Sequence, residues 1–272
     1  MGRELLKISE FSKLSGISRK LLIFYDNQGL LQPYLIDEKN GYRYYSYRQI
    51  DTASVIVSLR EAGMSLAEIK AYLSKKSPHT LIDTLEKQEA LLDQQIKKLH
   101  QIQEMIQFRI QQTEKGLKRS SPSIKIERQA AENIFLGPEL PADYDLKEGW
   151  THLPEFYAKC QEQNIQLGYT VGTMVSKENL LQKRWDKPNH YYYRLSQENY
   201  PLYQIKPAGD YVVGTMYADY GETDPLYHKL LHYIEENALR IEGNAYEEYL
   251  FDEIAEKDSE NYLLQIAIQI IN

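Results

Sequence analysis

The segment from residue 80 to residue 118 constrains the fold of this chain most, because it contains no proline and no glycine before Gly116. Apolar residues recur along it with a seven-residue spacing. They form a stripe of Leu81, Leu85, Leu92, Ile96, Leu99, Ile106 and Ile110, interrupted by Glu89 and Gln103. This pattern predicts one long helix with a coiled-coil seam. A lone helix cannot bury such a stripe against itself. We therefore favour pairing with the same helix of a second chain, and packing on the chain's own C-terminal part is the alternative.

Charge and tyrosine content differ between the two parts of the chain. Residues 1–119 contain 19 Lys and Arg against 14 Asp and Glu, whereas residues 120–272 contain 13 against 25. A basic front part suits an anionic partner, and an acidic back part suits a cationic ligand, although ordinary solvated surface explains the latter equally well. Of the 23 tyrosines, 16 follow residue 121. Tyrosine suits binding surfaces and β-strands alike, so this excess alone does not identify a site.

Composition disfavours secreted and membrane-spanning proteins. No apolar run approaches the roughly 20 residues of a membrane span, and the N-terminus lacks the apolar region of a secretory signal. Cys160 is the single cysteine, which rules out a disulfide framework within one chain. We therefore expect a cytoplasmic protein.

The first part of the chain predicts a helix-turn-helix. Ile8, Phe11 and Leu14 have helical spacing, and Ser15-Gly16-Ile17 forms a tight turn. Ser18 is the predicted N-cap of a second helix, which Gly29 ends. Two short helices joined by a glycine-containing turn are typical of this motif.

A wing and two further helices are predicted to follow. Asn40-Gly41, flanked by aromatic residues, predicts a hairpin with a type I′ turn, in which both central residues need positive φ. A helix is expected from Arg48 to Ala62. The next helix is predicted to begin with Ser65 as the N-cap, and Glu68 completes a capping box.

The remainder of the chain alternates predicted strands and helices. Strands are expected at residues 124–128, 133–137, 166–176, 190–196, 202–206, 210–218, 244–254 and 262–271, with helices at 145–164 and 224–238. The order strand, helix, strand, strand occurs twice. We therefore predict a duplicated α+β domain with its helices on one face of an antiparallel sheet. The other face, or the cleft between the halves, is then available to a ligand.

Three sequence blocks in the head, ISEFSKLSGISRKLLIFYDNQGLL, NGYRYYS and SLREAGMSLAEIKAYL, occur in a specific order and spacing. They closely resemble the MerR family of transcription regulators. The back half resembles the gyrase-inhibitor-like effector-binding domain of the family's multidrug-sensing branch, best over AYEEYLFDEIAEKDSENYLLQIAIQI and HYYYRLS. The resemblance implies an α+β protein in three parts. These are a winged helix-turn-helix (1–78), an antiparallel coiled-coil dimerisation helix (79–119) and an effector-binding domain (120–272).

The resemblance also implies which residues contact DNA. The matching positions are Ser18, Arg19, Lys20, Phe24, Tyr25, Tyr42, Arg43 and Arg60. The first three begin the recognition helix, whose N-terminal residues reach base edges in the major groove. Ile23 and Asp26 stand where the family has Arg and Glu, and Phe24 lacks the family's hydroxyl. The lost Arg and the lost hydroxyl remove two phosphate contacts, which points to a shifted operator preference. For Arg43 we favour a phosphate contact, because a wing-tip guanidinium in a basic head has little else to pair with. For Tyr44 and Tyr45 we favour packing of the wing.

The predicted ligand site depends on one carboxylate. Glu247 aligns with the family's pocket glutamate, and on a strand it shares a face with Tyr249 while Glu248 points the other way. A carboxylate on an aromatic face is costly unless it is neutralised, and a lipophilic cation would neutralise it with cation–π contacts in addition. The alternatives are a solvent-facing Glu247 and a pocket built on Glu248. The aromatic residues assigned to the pocket are Trp150, Tyr169, Tyr193, Tyr227, Tyr249 and Tyr262.

Other chemistries have less support. Metal sensing needs thiolates or imidazoles in close array, whereas Cys160 stands alone and the His228/His232 pair is expected on an exposed helix surface. We predict no metal, no cofactor and no catalytic residue. The favoured function is a homodimeric regulator that binds a pseudo-palindromic operator in double-stranded DNA. On binding a small cationic effector, it distorts the promoter for RNA polymerase. The alternatives are an enzyme with Glu247 as general base, and a DNA-binding protein without ligand response.

Overall fold

The computed structural model describes residues 5–75, 77–119, 122–144, 151–195 and 203–271. The chain folds into two compact units, Met1–Lys97 and Lys98–Asn272. The long helix predicted for residues 80–118 is confirmed as α5 (Pro78–Lys118), which contributes residues to both units. The predicted boundaries between three domains stay a prediction. Among the described residues, no helix combines the length and apolar character that a membrane span requires.

The first unit is the predicted winged helix-turn-helix. Its elements are β1 (Leu5–Lys7), α1 (Ile8–Ser15), α2 (Arg19–Asn27), β2 (Leu35–Ile36), β3 (Arg43–Ser46), α3 (Gln49–Glu61) and α4 (Leu66–Ser74). The three strands pair antiparallel in the order β1-β3-β2. Gly16 follows α1 in the left-handed conformation with φ of 73°. The side chain of Ser18 caps α2, and Ser65 and Glu68 form the predicted capping box of α4.

The wing hairpin is present, but the predicted type I′ turn is wrong. Gly41 has φ of 71°, whereas Asn40 does not have positive φ. Asp37 organises the turn instead. Its carbonyl accepts from the Gly41 N–H at 2.7 Å, and its carboxylate accepts from the Lys39 N–H at 2.8 Å and from the Asn40 amide at 2.8 Å. An aspartate side chain that bonds the following backbone stabilises a longer loop than Asn-Gly alone would form.

Helix α5 has two different sides. On one side Met105 and Phe108 pack into the apolar cluster around Tyr169, within the second unit. On the other side the predicted seam is open in the single chain: Leu99 is 64% exposed and Ile106 is 48% exposed. Met105 and Phe108, which are not stripe residues, therefore pack on the chain's own C-terminal part, whereas the stripe is exposed and its pairing with a second chain stays a prediction.

The second unit is built on an eight-stranded antiparallel sheet. Its elements are β4 (Ser123–Gln129), β5 (Glu132–Glu139), α6 (Leu153–Glu162), β6 (Gly172–Val175), α7 (Lys177–Leu181), β7 (His190–Leu195), β8 (Gln204–Lys206), β9 (Gly209–Tyr217), α8 (Asp224–Glu236), β10 (Arg240–Phe251) and β11 (Leu263–Ile271). The strand order is β4-β9-β11-β10-β6-β7-β5-β8. The halves β5-α6-β6-β7 and β9-α8-β10-β11 meet where β10 pairs with β6. Outward from that pair, the first half has the order β6-β7-β5 and the second half has the corresponding order β10-β11-β9. The predicted duplicated α+β fold is confirmed.

The pleat of the sheet separates two faces. Tyr191, Thr173, Glu247 and Ile266 lie in register on what we call the helix face, because α6 and α8 pack there. The neighbouring residues along these strands lie on the opposite face. That face carries a separate apolar cluster around Tyr192, Tyr246 and Met174. Two adjacent residues of β10 therefore face different surroundings.

Some predicted bounds differ from the structure. Helix α6 is shorter than the predicted 145–164, and residues 145–150 lie outside the described part of the chain. Strand β6 is shorter than the predicted 166–176, because Gly168 has φ of 109° and leaves the extended conformation. Helix α7 was not predicted, although Ser176 supplies its N-cap by accepting from the Asn179 N–H at 3.2 Å.

Candidate functional site

The N-terminus of α2 presents the residues assigned to base contacts. Ser18 accepts a hydrogen bond from the Leu21 N–H at 3.2 Å, so its side chain is used to start the helix. Arg19 and Lys20 follow in the first turn, and all three are exposed. The helix start thus combines unpaired backbone donors, two cations and solvent access, which is the arrangement that anionic partners favour. Their contact with bases stays a prediction.

The two aromatic residues of α2 have different environments. Phe24 is 42% exposed, and Ile23 beside it is 39% exposed. Tyr25 is 4% exposed and belongs to the core of the first unit. The helix therefore presents an apolar surface at Phe24 and Ile23, while most of Tyr25 packs inward. A DNA contact by either aromatic residue stays a prediction.

The wing places its predicted cation differently from our expectation. Arg43 forms an ion pair with Asp26 of α2, with 2.8 Å between Nε and Oδ2. Arg43 therefore has a partner within the head, contrary to our expectation, because the fold brings α2 and β3 together. A phosphate would have to share this guanidinium. Tyr42 is 56% exposed, and Arg60 is exposed and donates to the Met64 carbonyl at 2.5 Å.

Wing packing is confirmed for Tyr45. It is fully buried and stacks on Phe11 of α1, with 4.5 Å between ring centroids. Tyr44, the neighbouring residue, is partly buried. Burial, followed by the charge of Asp26, raises the pKa of Tyr45 to about 12. The hydroxyl group therefore remains protonated, and the residue fixes the wing to the helix-turn-helix.

In the second unit, Glu247 lies on the helix face of β10 and is 3% exposed. The Tyr227 hydroxyl of α8 donates to Oε1 at 2.6 Å, and the Thr173 hydroxyl of β6 donates to Oε2. No Lys, Arg or His of the described residues forms an ion pair with it. Burial raises the pKa of Glu247 to about 7, against the two hydroxyl donors that act to lower it. The predicted solvent-facing alternative is therefore wrong.

Glu248, also 3% exposed, lies on the opposite face among cations. Arg194 forms an ion pair with it, and the Tyr192 hydroxyl donates to Oε1 at 2.7 Å. Gln112 of α5 lies 3.3 Å from Oε2. Although burial acts to raise the pKa of Glu248, the charge of Arg194, followed by those of the nearby lysines, lowers it to about 2. This carboxylate is already neutralised by the fold.

Aromatic rings surround Glu247 on the helix face. Trp185 stacks on Tyr227 at 5.9 Å with 22° between the ring planes. Tyr249 lies two residues along the strand, and Tyr220 contacts it edge-on at 4.7 Å. Tyr262 lies 5.2 Å from Tyr220. Of the predicted aromatic set, Tyr227 contacts the carboxylate and Tyr249 lies near it, whereas Tyr262 contacts Tyr220 and Tyr249 instead.

A cavity of about 120 Å³ is lined by Arg109, Leu153, Tyr157, Tyr169, Thr170, Val171, Tyr220, Tyr249 and Asp252. Glu247 itself does not line it, and Tyr249, two residues along β10, is the nearest lining residue on that strand. We call it the aromatic cavity. Tyr169 and Tyr249 of the predicted set line it directly. Tyr193 is buried next to Tyr169, with 5.5 Å between ring centroids, and packs in the core on Phe156. Trp150, also assigned to the pocket, lies outside the described residues.

Sequence reasoning missed several residues of this site. Thr173 contacts Glu247 only because β6 pairs with β10 in that register. Trp185, held by a 3.0 Å hydrogen bond from Nε1 to Asp224, covers Tyr227. Tyr220 follows the tyrosine-rich pattern, but nothing in the sequence placed it against Tyr249. Strand pairing and loop placement carry no local signal, which is why these contacts were not foreseen.

Metal ligands do not cluster in the described part of the chain, where no group of three or more His, Cys, Asp or Glu side chains could hold an ion. Cys160 is fully buried in α6, and burial raises the pKa of its thiol to about 12. His232 forms a 3.1 Å pair with Glu236 on the exposed surface of α8.

Comparison with known proteins matches the head and much of α5 to two family models. They are described as MerR HTH family regulatory protein, over residues 6–76, and MerR, DNA binding, over residues 50–107. The multidrug-efflux transporter 2 regulator of Bacillus subtilis (strain 168) is 32% identical over 263 residues, which cover 96% of this chain and 94% of that protein.

Two further similarities are shorter or more distant. The multidrug-efflux transporter 1 regulator of the same organism is 40% identical over 63 residues, 23% of each chain. A cryo-EM structure of an EcmrR–DNA complex is 20% identical and covers 97% of this chain and 99% of its own, with a TM-score of 0.40.

Proposed function

The chain belongs to the MerR family of DNA-binding transcription regulators, and from that premise we propose that it is a homodimeric, ligand-responsive regulator. Its two heads bind the half-sites of a pseudo-palindromic promoter operator. Its C-terminal unit binds a small lipophilic cation. The ligand-bound regulator then distorts the promoter DNA into a form that RNA polymerase can use.

The observation that supports the ligand class is the environment of Glu247. Its carboxylate is buried on an aromatic face and has two hydroxyl donors but no cation of the described residues. An ionised carboxylate in such a place is costly until a positive charge approaches it. A lipophilic cation supplies that charge, and its hydrocarbon surface suits the surrounding rings, which add cation–π attraction. A neutral or anionic ligand would not reduce the free-energy cost of ionising the buried Glu247 carboxylate.

The open seam of α5 supports the homodimer. Leu99, Ile96 and Ile106 are 64%, 51% and 48% exposed in the single chain. Apolar side chains at coiled-coil spacing are costly to leave in water. A second copy of the helix, running antiparallel, would cover them. Two copies also supply the two heads that a two-fold symmetric operator requires.

Activation then follows from differential binding. A ligand shifts a regulator only if it binds the activating state more tightly than the other state. The free energy so gained can bend or untwist promoter DNA, whose deformation costs a few kcal/mol. The charged first turn of α2, with Arg19 and Lys20, and the wing are the surfaces proposed to hold the DNA.

The test compares wild type with Glu247→Gln, using tetraphenylphosphonium and the neutral triphenylphosphine oxide as probes in titration calorimetry at pH 8. We expect the variant to bind the cation at least tenfold more weakly, because an amide cannot neutralise it. Binding of the neutral probe should change little. DNA selected by the wild type from a random pool should be bound equally well by both proteins, which shows that the head is intact.

Two results would count against this function. Equal cation affinity of wild type and Glu247→Gln would remove the proposed role of the carboxylate. Conversion of a bound probe into a product on long incubation, lost in the same variant, would favour catalysis with Glu247 as general base. We expect the probe to be recovered unchanged.

The dimer is tested separately by sedimentation of Leu99→Glu. A charge in the seam should shift the protein towards the monomer, whereas Gln94→Glu, an exposed change away from the stripe, should leave the dimer intact. Since Leu99 is 64% exposed in the single chain, the substitution should not unfold the protein. A monomeric wild type at micromolar concentration would rule out the proposed pairing.

A further inference from the structure

A second cavity, of about 420 Å³, lies against α5 and is lined by Arg109, Ile110, Gln112, Thr113, Glu114, Thr170, Leu250, Asp252, Ile254 and Ala255. We call it the helix cavity. Arg109, Thr170 and Asp252 line both this cavity and the aromatic cavity. These three residues therefore form the wall between the two spaces.

The wall is held by an ion pair. Arg109 of α5 donates through Nη1 to Asp252, which follows β10, and through Nε to the Gly168 carbonyl at 2.8 Å. The side chain of Asp252 is 8% exposed, and its other oxygen accepts from the Ile254 N–H at 3.1 Å. The guanidinium is 25% exposed. A buried carboxylate is thus neutralised by a cation that can reach solvent.

The surroundings of the aromatic cavity are acidic. Burial, followed by Glu253 and then Asp252, raises the pKa of Tyr220. Burial, followed by the charge of Glu247 and those of Asp219 and Glu222, raises the pKa of Tyr249. The tyrosines that line the cavity therefore experience carboxylates from several loops as well as from β10. Such a site attracts positive charge, and Arg109 is the cation of the described residues that forms an ion pair in its wall.

The size of the aromatic cavity is also informative. Sites for drug-sized ligands measure roughly 300–1,000 Å³, and the aromatic cavity at about 120 Å³ is too small for one. The helix cavity, at about 420 Å³, lies within that range by itself, and joining the two across the Arg109–Asp252 wall would bring its occupant to the rings of the aromatic cavity.

We propose that Arg109 acts as an internal cation at the effector site, and that the cationic effector displaces it from Asp252 when it binds. This inference rests on the function proposed above and makes Asp252 a second carboxylate of the same site. Displacement exchanges one positive charge for another at Asp252, so the buried carboxylate is never left alone. The guanidinium moves to solvent, and the two cavities become one.

The displacement also connects the ligand to α5. Arg109 joins the helix to Gly168 and to Asp252, so its release removes polar contacts that hold α5 to the sheet at this point. Because α5 is continuous from Pro78 to Lys118, the helix that the ligand releases is the one that carries the dimer seam. A neutral ligand would not compete for Asp252, so the charge of the effector is what the helix responds to.

The experiment measures binding of tetraphenylphosphonium and triphenylphosphine oxide to the full-length dimer with Arg109→Gln. Removing the internal competitor should tighten cation binding about tenfold, because the ligand no longer has to break the pair. Arg109→Lys keeps the charge and should bind the cation as wild type does. The neutral probe should change less than about twofold with either variant. Thermal melting should establish that each variant is folded.

The double variant Arg109→Gln/Asp252→Asn leaves no unpaired charge, and it should lose the gain in cation affinity. Unchanged or weaker cation binding by folded Arg109→Gln would overturn the displacement. An equal gain for the neutral probe would overturn it too, because the arginine would then only be a steric barrier. If Glu247→Gln weakens cation binding while Arg109→Gln has no effect, this inference alone fails. If neither wild type nor Arg109→Gln binds the cation, the proposed function fails with it.

Discussion

Glu247 and Glu248 are neighbours on one strand, and each is 3% exposed, yet their pKa values are shifted in opposite directions. The pKa of Glu247 is raised to about 7, and that of Glu248 is lowered to about 2. Burial acts to raise both. The difference comes from the cations that the opposite face supplies to Glu248 and the helix face does not supply to Glu247.

Glu248 has a structural role, whereas Glu247 is the carboxylate that we propose to bind the ligand. Glu248 belongs to a network with Arg194, Lys115 and Lys206, within which burial lowers the pKa of Lys115 to about 8. Its charges are satisfied before any ligand arrives. Glu247 has hydrogen-bond donors that orient it but do not neutralise it. A buried group whose charge the fold leaves uncompensated is the stronger candidate for a ligand site.

The largest effect should come from the Glu248 face. Arg194→Met removes one partner of a buried pair, and we expect the free energy of unfolding in urea to fall by about 3 kcal/mol, because the carboxylate remains buried. Arg128→Met is the matched control. Arg128 is 79% exposed in its pair with Asp210, so we expect a change below about 0.5 kcal/mol. A similar loss in both variants would show that Glu248 does not depend on Arg194.

Glu247 should make the free energy of unfolding depend on pH. Its pKa is higher in the folded state, at about 7, than its ordinary value of 4.5. The folded state therefore retains a proton that the unfolded state has lost. The stabilisation is complete below about pH 4.5 and disappears as pH rises through 7. Relative to Glu247→Gln, the wild type should lose about 2 to 3 kcal/mol of unfolding free energy between pH 5 and pH 8. A difference that does not vary with pH would contradict the raised pKa.

Cation affinity should follow the same titration. If the ligand binds ionised Glu247, wild type should bind tetraphenylphosphonium about tenfold more weakly at pH 6 than at pH 8, since the pKa is about 7. Glu248 remains ionised throughout this range, because its pKa is about 2, and it contributes no pH dependence. Calorimetry at four pH values measures the profile, and Glu247→Gln should give a flat one. A flat wild-type profile would mean that the ligand does not sense this carboxylate.

The smallest expected effect concerns the orientation of Glu247. Tyr227→Phe removes the donor at 2.6 Å, so the pKa of Glu247 should rise further and cation affinity at pH 7 should fall about threefold. Tyr211→Phe is the control, because this buried tyrosine belongs to the cluster on the opposite face and its hydroxyl donates to the Pro207 carbonyl at 2.7 Å. Equal losses in both variants would indicate a general effect of removing a buried hydroxyl group.

The head was predicted well because its signals are local. The Ser18 cap, the left-handed Gly16 and the capping box at Ser65 each involve residues within a few positions of one another. The failures there have a common cause. The turn depends on Asp37, which competes with the Asn40-Gly41 signal, and the Arg43–Asp26 pair joins residues 17 positions apart.

The surroundings of Glu247, where we propose the ligand site, were predicted only in part. Alternation along β10 placed Glu247 and Tyr249 on one face and Glu248 on the other, and the resemblance selected Glu247. Neither the alternation nor the resemblance predicted the hydrogen bond from Thr173 to Glu247, whose positions are 74 residues apart, or the ion pair of Arg194 with Glu248. The sequence therefore predicted that the two carboxylates lie on different faces, but not that only Glu248 has a cation beside it among the described residues.

The sequence by itself determined most of the elements and their order: the capped helices of the head, the uninterrupted α5, and the strand pattern repeated in the C-terminal unit, but not the short helix α7. These follow from propensities, caps and periodicity, which act over a few residues. Only the tertiary structure decided which carboxylate has a cation beside it and which helix lies over which face. Ionisation of a buried group depends on charges a few ångströms away in space, and the chain brings those charges there from positions far apart.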